Sequence, residues 1–516
     1  MLIVGGGTAG WLTACHLAKT LHAKSAGGVK VTLVESENIP TIGVGEGTVP
    51  AIRDSLQALG ISETTFIREC DVTFKQGIKF VDWLEAPAAD HSHSYHHIFD
   101  YPQRDSLDPT PYWLMEKKAG SDLSFVDAVS FQGAVCDAGL GPKLMTHAEY
   151  DGFAGYAYHL DAAKFSRLLT KHGTESLGVQ HLKGNVVDVI LGEEGDISGV
   201  TTDKLGVLEA DLFIDCTGFS SLLLGQKLGV GFNSKQDVLL ADTALAMQVP
   251  YAEENTPIPS YTIAAAQEAG WIWDIGLSAR RGTGYVYSSQ FTSDERAEEV
   301  LCAYAAKSLG AAADDLSCRK IPMNVGYREK FWHKNCVAIG LAQGFVEPLE
   351  ATGLLVYDAA ARLLAAQFPS CIGAIPEVAN RFNQRLQHVW DGVIDFIKLH
   401  YYLSRREDSE FWKANRLRES VPESLLKSLE LWRFQPPSEY DFPSRLDIFN
   451  LDNYLYVLYG MEFETDTHNL MARFPERERA RMQFNKMQHN ARSALESSLP
   501  NRELIERIRT FGLQKI

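Results

Sequence analysis

The sequence has no C-x-x-C pair, no basic block, no internal repeat and no apolar run of the ~18 residues needed to cross a bilayer. Each absence removes a class of protein. Eight cysteines, at 15, 70, 136, 216, 302, 318, 336 and 371, stand too far apart for a zinc site or a disulfide framework and suit reduced thiols. With 49 basic against 66 acidic residues and a formal charge of −17, nothing is concentrated enough to neutralise nucleic-acid phosphates. Without a spanning run, and with a buried strand starting near residue 2, neither anchor nor leader is expected, and the expected location is the cytoplasm. What remains is ordinary globular composition, 45% hydrophobic and 22% charged, in 516 residues, which is enough for two or three lobes around a large core.

The informative stretch is the first. Leu2-Ile-Val4 reads as a buried parallel strand, Gly5, Gly7 and Gly10 give G-x-G-x-x-G spacing, and Trp11 opens a helix. Gly5 suits the tight turn, Gly7 a close approach of backbone to pyrophosphate, and Gly10 tight strand–helix packing. The helix start around Thr8 and Ala9 offers N–H groups to the phosphates. A second strand, Val29 to Val34, ends in Glu35, 25 positions past Gly10 and near the roughly 20 expected of a ribose-binding acid. This is a dinucleotide-binding start. Gly43, Gly45 and Gly47, between Pro40 and Pro50, suit backbone lying flat against a planar ligand.

Helical spacing follows over 51–59 and 63–69. Residues 73–83 alternate as one strand, with Phe74, Ile78 and Phe80 on one face and Lys75 and Lys79 on the other. Strand lysines usually face water, and spacing alone does not choose between these two. His91, His93, His96 and His97 form no tidy ligand set, so a loop lining a pocket is expected there rather than a metal. Strands near 179–182, 186–191 and 207–210 precede the apolar strand around Phe213–Asp215, which returns the chain to the dinucleotide sheet. Residues 237–330 read as a mixed-strand layer in which Trp271 and Trp273, at i and i+2, share a face. The strand at Cys336 ends at Gly340, the end of a doubly wound sheet that binds ligands. A glutamate, Glu350, follows beside a glycine-containing helix start, and from 377 onward the pattern is helical.

Taken together these motifs resemble the flavin-dependent tryptophan halogenase family over nearly the whole chain. Gly5 to Trp11 resembles its flavin-binding opening, and Gly43-Val44-Gly45-Glu46 the strap over the flavin. Arg68 to Lys75 is similar to the stretch holding an essential lysine, which selects Lys75 over Lys79. Trp271-Ile-Trp-Asp-Ile resembles the W-x-W-x-I-P signature. Phe345 to Glu350 resembles the segment with the active-site glutamate, Thr352-Gly353 the halide-side turn, and 381–414 the helical lobe. The resemblance implies an enzyme using FAD as FADH2, supplied by a separate NAD(P)H flavin reductase, with oxygen and chloride or bromide. Hypohalous acid made at the flavin would pass inside the protein to Lys75. Glu350 would stabilise the cationic intermediate of an electron-rich ring or take its proton. The signature tryptophans would wall off the flavin. His97, Phe99, Phe449 and Tyr454 would line the pocket of an indole-type substrate. Relatives are commonly dimers, so a homodimer is possible.

Three departures stand out. Gly276 replaces the signature proline and is expected to leave that turn freer. Ala351 stands where a serine commonly follows the glutamate. Ser444 holds the lid position of a glutamate in enzymes acting on free tryptophan, with Phe449 at a tryptophan position and Asp447 one helical turn from Ser444. A neutral indole is therefore expected over free tryptophan. A flavin monooxygenase that reduces its own FAD is the main alternative, although no second glycine fingerprint serves NAD(P)H; a silent flavin-binding protein is a third. The expected fold is α/β: a Rossmann-like FAD domain of three layers with an inserted mixed β-sheet substrate layer and a C-terminal helical lobe. Its expected bounds are 1–74 and 206–376 for the FAD parts, 75–205 for the inserted lysine region, and 377–516 for the lid lobe.

Overall fold

The computed structural model describes residues 1–38, 45–88, 91–104, 107–466 and 468–515. The fold is mixed α/β with several sheets and a helical C-terminal region. Two compact units divide the chain, each assembled from three separate segments.

The first unit contains 1–71, 160–236 and 323–391. Its six-stranded sheet runs Trp332–His333, Cys336–Ala338, Phe213–Asp215, Leu2–Val4, Thr32–Glu35, Gln180–Lys183, parallel except at the Trp332 edge. Leu2, Ile3 and Val4 are all buried, as a parallel strand covered on both faces requires. Gln180–Lys183 lies within the stretch expected to be inserted, yet it pairs with Thr32–Glu35, so the chain rejoins this sheet well before residue 206. Strand periodicity identifies a strand without naming its partner, and that is why the boundary was misplaced. The helices Thr8–Thr20, Ala51–Leu59 and Thr352–Ala366 belong to this unit.

The second unit contains 72–159, 237–322 and 392–516. Its seven-stranded sheet runs Cys318–Pro322, Thr243–Pro250, Arg280–Tyr287, Gly270–Gly276, Thr262–Gln267, Gly77–Val81, Ser94–Ile98. The single strand expected over 73–83 is two strands. Thr73–Lys75 pairs with Ala157–His159, whereas Gly77–Val81 joins the seven-stranded sheet; the break falls at Gln76. Alternation of side chains survives such a change of partner, so the sequence pattern cannot show it. Helices Glu410–Asn415, Glu423–Trp432, Leu451–Gly460, Arg477–Ser497 and Asn501–Phe511 make up most of the C-terminal part. Among the described residues no helix is long and apolar enough to cross a membrane.

Candidate active site

In the first unit the glycine loop is fixed by sterics. Gly5 has φ +113°, and a Cβ there would lie 2.1 Å from the Cys216 carbonyl oxygen. A Cβ on Gly10 would lie 2.0 Å from the Gly5 carbonyl oxygen. Gly7 is different: its backbone is extended, it precedes the first helical residue Thr8, and an added Cβ meets nothing within 4 Å. That open space, facing the uncapped start of a helix, fits a pyrophosphate. Gly6, which the fingerprint leaves unassigned, lies against Glu35, whose Oε2 would be 1.5 Å from a Cβ at that position. His181 Nε2 and Lys183 Nζ meet Glu35 Oε1 at 2.8 and 2.5 Å, so the carboxylate is held over the loop. Gly340, φ +83°, comes close to Ala9, since a Cβ there would be 2.8 Å from the alanine methyl. Gly45 and Glu46 form a short strand, Gly45–Gly47, and burial, with the Asp161 charge adding, pushes the Glu46 carboxyl up to about 7. Gly43 and Val44 lie outside the described residues.

Glu350 is buried, and the next residue, Ala351, is left-handed at φ +55°, ψ +34°. A non-glycine residue in that region stores of the order of 1–3 kcal/mol and marks an over-determined turn. The turn aims Thr352 and Gly353 into the first turn of the helix Thr352–Ala366. The Thr352 hydroxyl is buried with no hydrogen-bond partner among the described residues, and a Cβ on Gly353 would meet nothing nearer than 3.7 Å. An orphaned donor at a positive helix end fits a halide. Two turns along, Asp358 receives hydrogen bonds from His16 at 2.8 Å and Ser55 at 2.5 Å, joining this helix to Thr8–Thr20 and Ala51–Leu59. That three-helix joint was not foreseen from the sequence, because nothing in local spacing links residues more than 300 positions apart.

In the second unit Lys75 is 1% exposed, with Nζ 5.3 Å from the centroid of the Phe99 ring. Across the strand pair His159 stands opposite Thr73, so it shares the Lys75 face; its Nε2 is 2.8 Å from Thr262 Oγ1. Burial holds the His159 imidazole well below its ordinary range, and the Lys75 charge adds to this, so it stays neutral. Lys79 instead reaches Asp137 at 2.6 Å, a half-exposed carboxylate that also takes His96 at 2.9 Å. The two lysines thus serve different surroundings.

His97, Phe99, Phe449 and Tyr454 are all buried. Phe396 gathers the lid aromatics, stacking on Phe449 at 4.0 Å and meeting Tyr454 at 4.9 Å and His97 at 5.8 Å. Asn453, given no role from the sequence, fixes the histidine: the Asn450 N–H donates to Asn453 Oδ1 in a capping box, which leaves Asn453 Nδ2 to donate to His97 Nε2 at 2.9 Å. An Asn-x-x-Asn start to an apolar helix was the available signal. Trp271 and Trp273 do share one face of a wholly buried strand. Small neighbours make room for them, Ala264 and Gly284 beside Trp273 and Ala266 beside Trp271. Gly276 is not freer than the proline it replaces. It is paired in register with Arg281, its carbonyl accepts the Thr73 hydroxyl at 2.5 Å, and a Cβ would press within 2.8 Å of Ile258.

These features have close counterparts. The tryptophan halogenase family model matches residues 1–476. A tryptophan 6-halogenase from Streptomyces toxytricini is 39% identical over 466 residues, covering 86% of each chain. The crystal structure of a tryptophan halogenase from Shewanella frigidimarina superposes with a TM-score of 0.94 at 43% identity, covering 100% of this chain and 98% of that one. A flavin-dependent halogenase from Brevundimonas gives 0.86 at 31% identity, with 98% of each chain covered. The family match spans the glycine loop, the threonine helix start and the buried lysine alike: the chain belongs to the tryptophan halogenase family and is a flavin-dependent halogenase that uses FAD and halide.

Proposed function

We propose that the enzyme halogenates a neutral indole-type arene in preference to free tryptophan, with Lys75 and Glu350 as its catalytic residues. FAD, reduced by a separate flavin reductase, supplies the activation of oxygen that turns chloride or bromide into hypohalous acid. Gly5, Gly7, Gly10 and Glu35 hold its pyrophosphate and ribose, and Thr352 and Gly353 hold the halide. Lys75 then receives the oxidised halogen, either hydrogen-bonding the acid through its ammonium or carrying the halogen on its amine. Glu350 stabilises the cationic ring intermediate or takes its proton. Trp271 and Trp273 keep the arene from the flavin.

The observation that carries the substrate reading is in the lid. Asp447 Oδ2 accepts the Ser444 backbone N–H at 2.9 Å, and the Asp447 N–H returns to the Ser444 carbonyl at 3.2 Å. Asp447, which could stand in for the missing glutamate, thus already accepts a backbone N–H of its own turn. An ammonium buried without a carboxylate costs several kcal/mol, of the order of 3–5. Free tryptophan is the second reading. It is favoured by the presence of two carboxylates, Asp395 and Asp447, close enough to the buried Tyr454 for their charges to act on it. Indole and L-tryptophan compared under matched conditions decide this: indole is expected to have the higher kcat/KM, and the reverse order assigns the ammonium to Asp447.

Glu350→Gln is expected to lower kcat by ~10²–10⁴-fold with little change in halide or FAD affinity, because the amide keeps the shape and loses the charge. Steady-state rates with saturating halide check this. A kcat within threefold of wild type would remove Glu350 from the chemistry.

A further inference from the structure

The family model ends at residue 476, and the structure has two further helices, Arg477–Ser497 and Asn501–Phe511. The second of these reaches the strand that carries Lys75. Asn501 is wholly buried, and its backbone N–H donates to the Gly139 carbonyl at 2.9 Å. Its side-chain Nδ2 faces three carbonyls: Phe74 at 3.3 Å, and Ile258 and Pro259 at 3.4 Å each. The Phe74 carbonyl belongs to the peptide unit that leads into Lys75, so Asn501 acts one bond from the lysine backbone.

The other flank of Lys75 is Gln76, at the break between the two sheets. Its N–H donates to the Ser260 carbonyl at 2.6 Å, and its carbonyl accepts the Phe99 N–H at 2.9 Å. Its side-chain Nε2 donates to the Leu140 carbonyl at 2.8 Å and Ser260 Oγ at 2.9 Å, while Gln132 Nε2 donates to its Oε1 at 3.2 Å. Gln132 is held in turn, donating to the Gly155 carbonyl at 2.6 Å and accepting the Asp100 N–H at 2.7 Å. The same amide thus fixes the backbone of Lys75 on one side and of Phe99, whose ring faces the lysine, on the other. A three-residue strand cannot hold a long side chain by its own ladder. The Gln76–Gln132 pair supplies what the ladder lacks, because buried polar groups paired in a network specify one geometry; Asn501 adds its Nδ2 contacts, while its Oδ1 has no hydrogen-bond partner among the described residues.

We propose that Asn501, contributed by the C-terminal helix outside the family-matched stretch, is a positioning residue for Lys75, acting with the Gln76–Gln132 amide pair, with which it shares the backbone at 139–140 and 259–260. Loosening it lets the lysine strand shift. The oxidised halogen is then formed at the normal rate but transferred less often, and the excess escapes as hypohalous acid. This rests on the reading of Lys75 as the residue that receives the halogen.

The test uses the full-length protein carrying Asn501→Leu, which keeps the volume and removes the donor, and Asn501→Ser, which keeps one donor. Product formed per FADH2 oxidised is measured alongside free hypohalous acid trapped by a soluble scavenger, FAD affinity, arene KM and melting temperature. Misplacing a catalytic group by about 1 Å costs as much as ~10²-fold, so a loss between about tenfold and 10²-fold in product per FADH2 is expected for Asn501→Leu. Trapped hypohalous acid should rise in proportion, with FAD affinity and arene KM within twofold and Asn501→Ser intermediate. Unchanged product per FADH2 in Asn501→Leu, whatever its melting temperature, overturns the inference, as does an equal loss in FAD affinity. Should Asn501→Leu fail to fold, Asn501→Ser with wild-type coupling overturns it alone. Lys75→Ala runs in parallel: if it keeps coupling, the reading of Lys75 fails; if it loses coupling and Asn501→Leu does not, only the inference about Asn501 fails.

Discussion

Lys75→Ala is expected to yield no detectable halogenated product while FADH2 is still oxidised and FAD still binds. The lysine lies in the second unit, whereas the glycine loop, Glu35 and the Thr352 turn are all in the first. Removing one side chain from the Thr73–Lys75 strand leaves every cofactor contact named above untouched. A group that carries the reacting atom cannot be replaced by solvent, so the loss should exceed the ~10²–10⁴-fold assigned to an acid–base or charge-stabilising group. Lys79→Ala provides the contrast. That ammonium is paired with Asp137 at a half-exposed site, and its loss should leave kcat within about twofold, since exposed ion pairs contribute only ~0–1 kcal/mol. Mass spectrometry for the halogen isotope pattern, run beside a peroxide assay, reads both arms. Activity in Lys75→Ala with a dead Lys79→Ala would reverse the assignment.

Gly7→Val should abolish FAD binding without unfolding the chain. The three fingerprint glycines differ in what they forbid. Side chains at Gly5 or Gly10 would drive a Cβ to 2.1 or 2.0 Å from a carbonyl oxygen, and either protein should lose stability. Gly7, at φ −71° and ψ 179°, is in a conformation open to any residue, and its Cβ position is empty. The Cβ of a valine there meets no protein atom within 4 Å, and its methyls are expected to enter the space of the pyrophosphate. An affinity loss of at least about 10²-fold, equivalent to about 2.7 kcal/mol, is expected with a melting temperature close to wild type. Flavin-fluorescence titration and a thermal melt suffice. Tight FAD binding by Gly7→Val would place the pyrophosphate elsewhere.

The contrast between Gly7 and its neighbours also shows why this end of the chain was legible. A positive φ or a backbone approach under 3 Å admits only glycine, so the residue type reports the geometry directly. The paired tryptophans were legible for a related reason, since a period of two survives any arrangement of strands. Gln76 was not legible, because the alternation that revealed a strand runs across the break that divides it. Nor was Asp358, whose partners His16 and Ser55 come together only in the folded unit. Gly276 misled for a different cause. A lost proline was read as lost constraint, whereas the constraint there comes from a strand register and from Thr73. The lysine itself was chosen by resemblance, and its burial is something that spacing could not supply.

The order of strands in the FAD unit has a consequence for how the protein is made. Leu2–Val4 has as its neighbour on one side Phe213–Asp215, whose own next partner is Cys336–Ala338, so strands more than 200 and 300 residues apart in the chain must meet. At translation rates of about 5–20 residues per second, the first strand waits roughly 10–40 s for its neighbour, and the sheet stays incomplete for roughly 17–70 s. The lysine unit waits longer still, since Asn501 lies more than 400 residues beyond Lys75. For that interval the wholly apolar Leu2–Val4 has one open edge, which is the condition under which nascent chains aggregate and chaperones bind. Neither unit is one contiguous segment, so expression of this enzyme should respond to slower synthesis and lower temperature more than its folded-state stability would suggest.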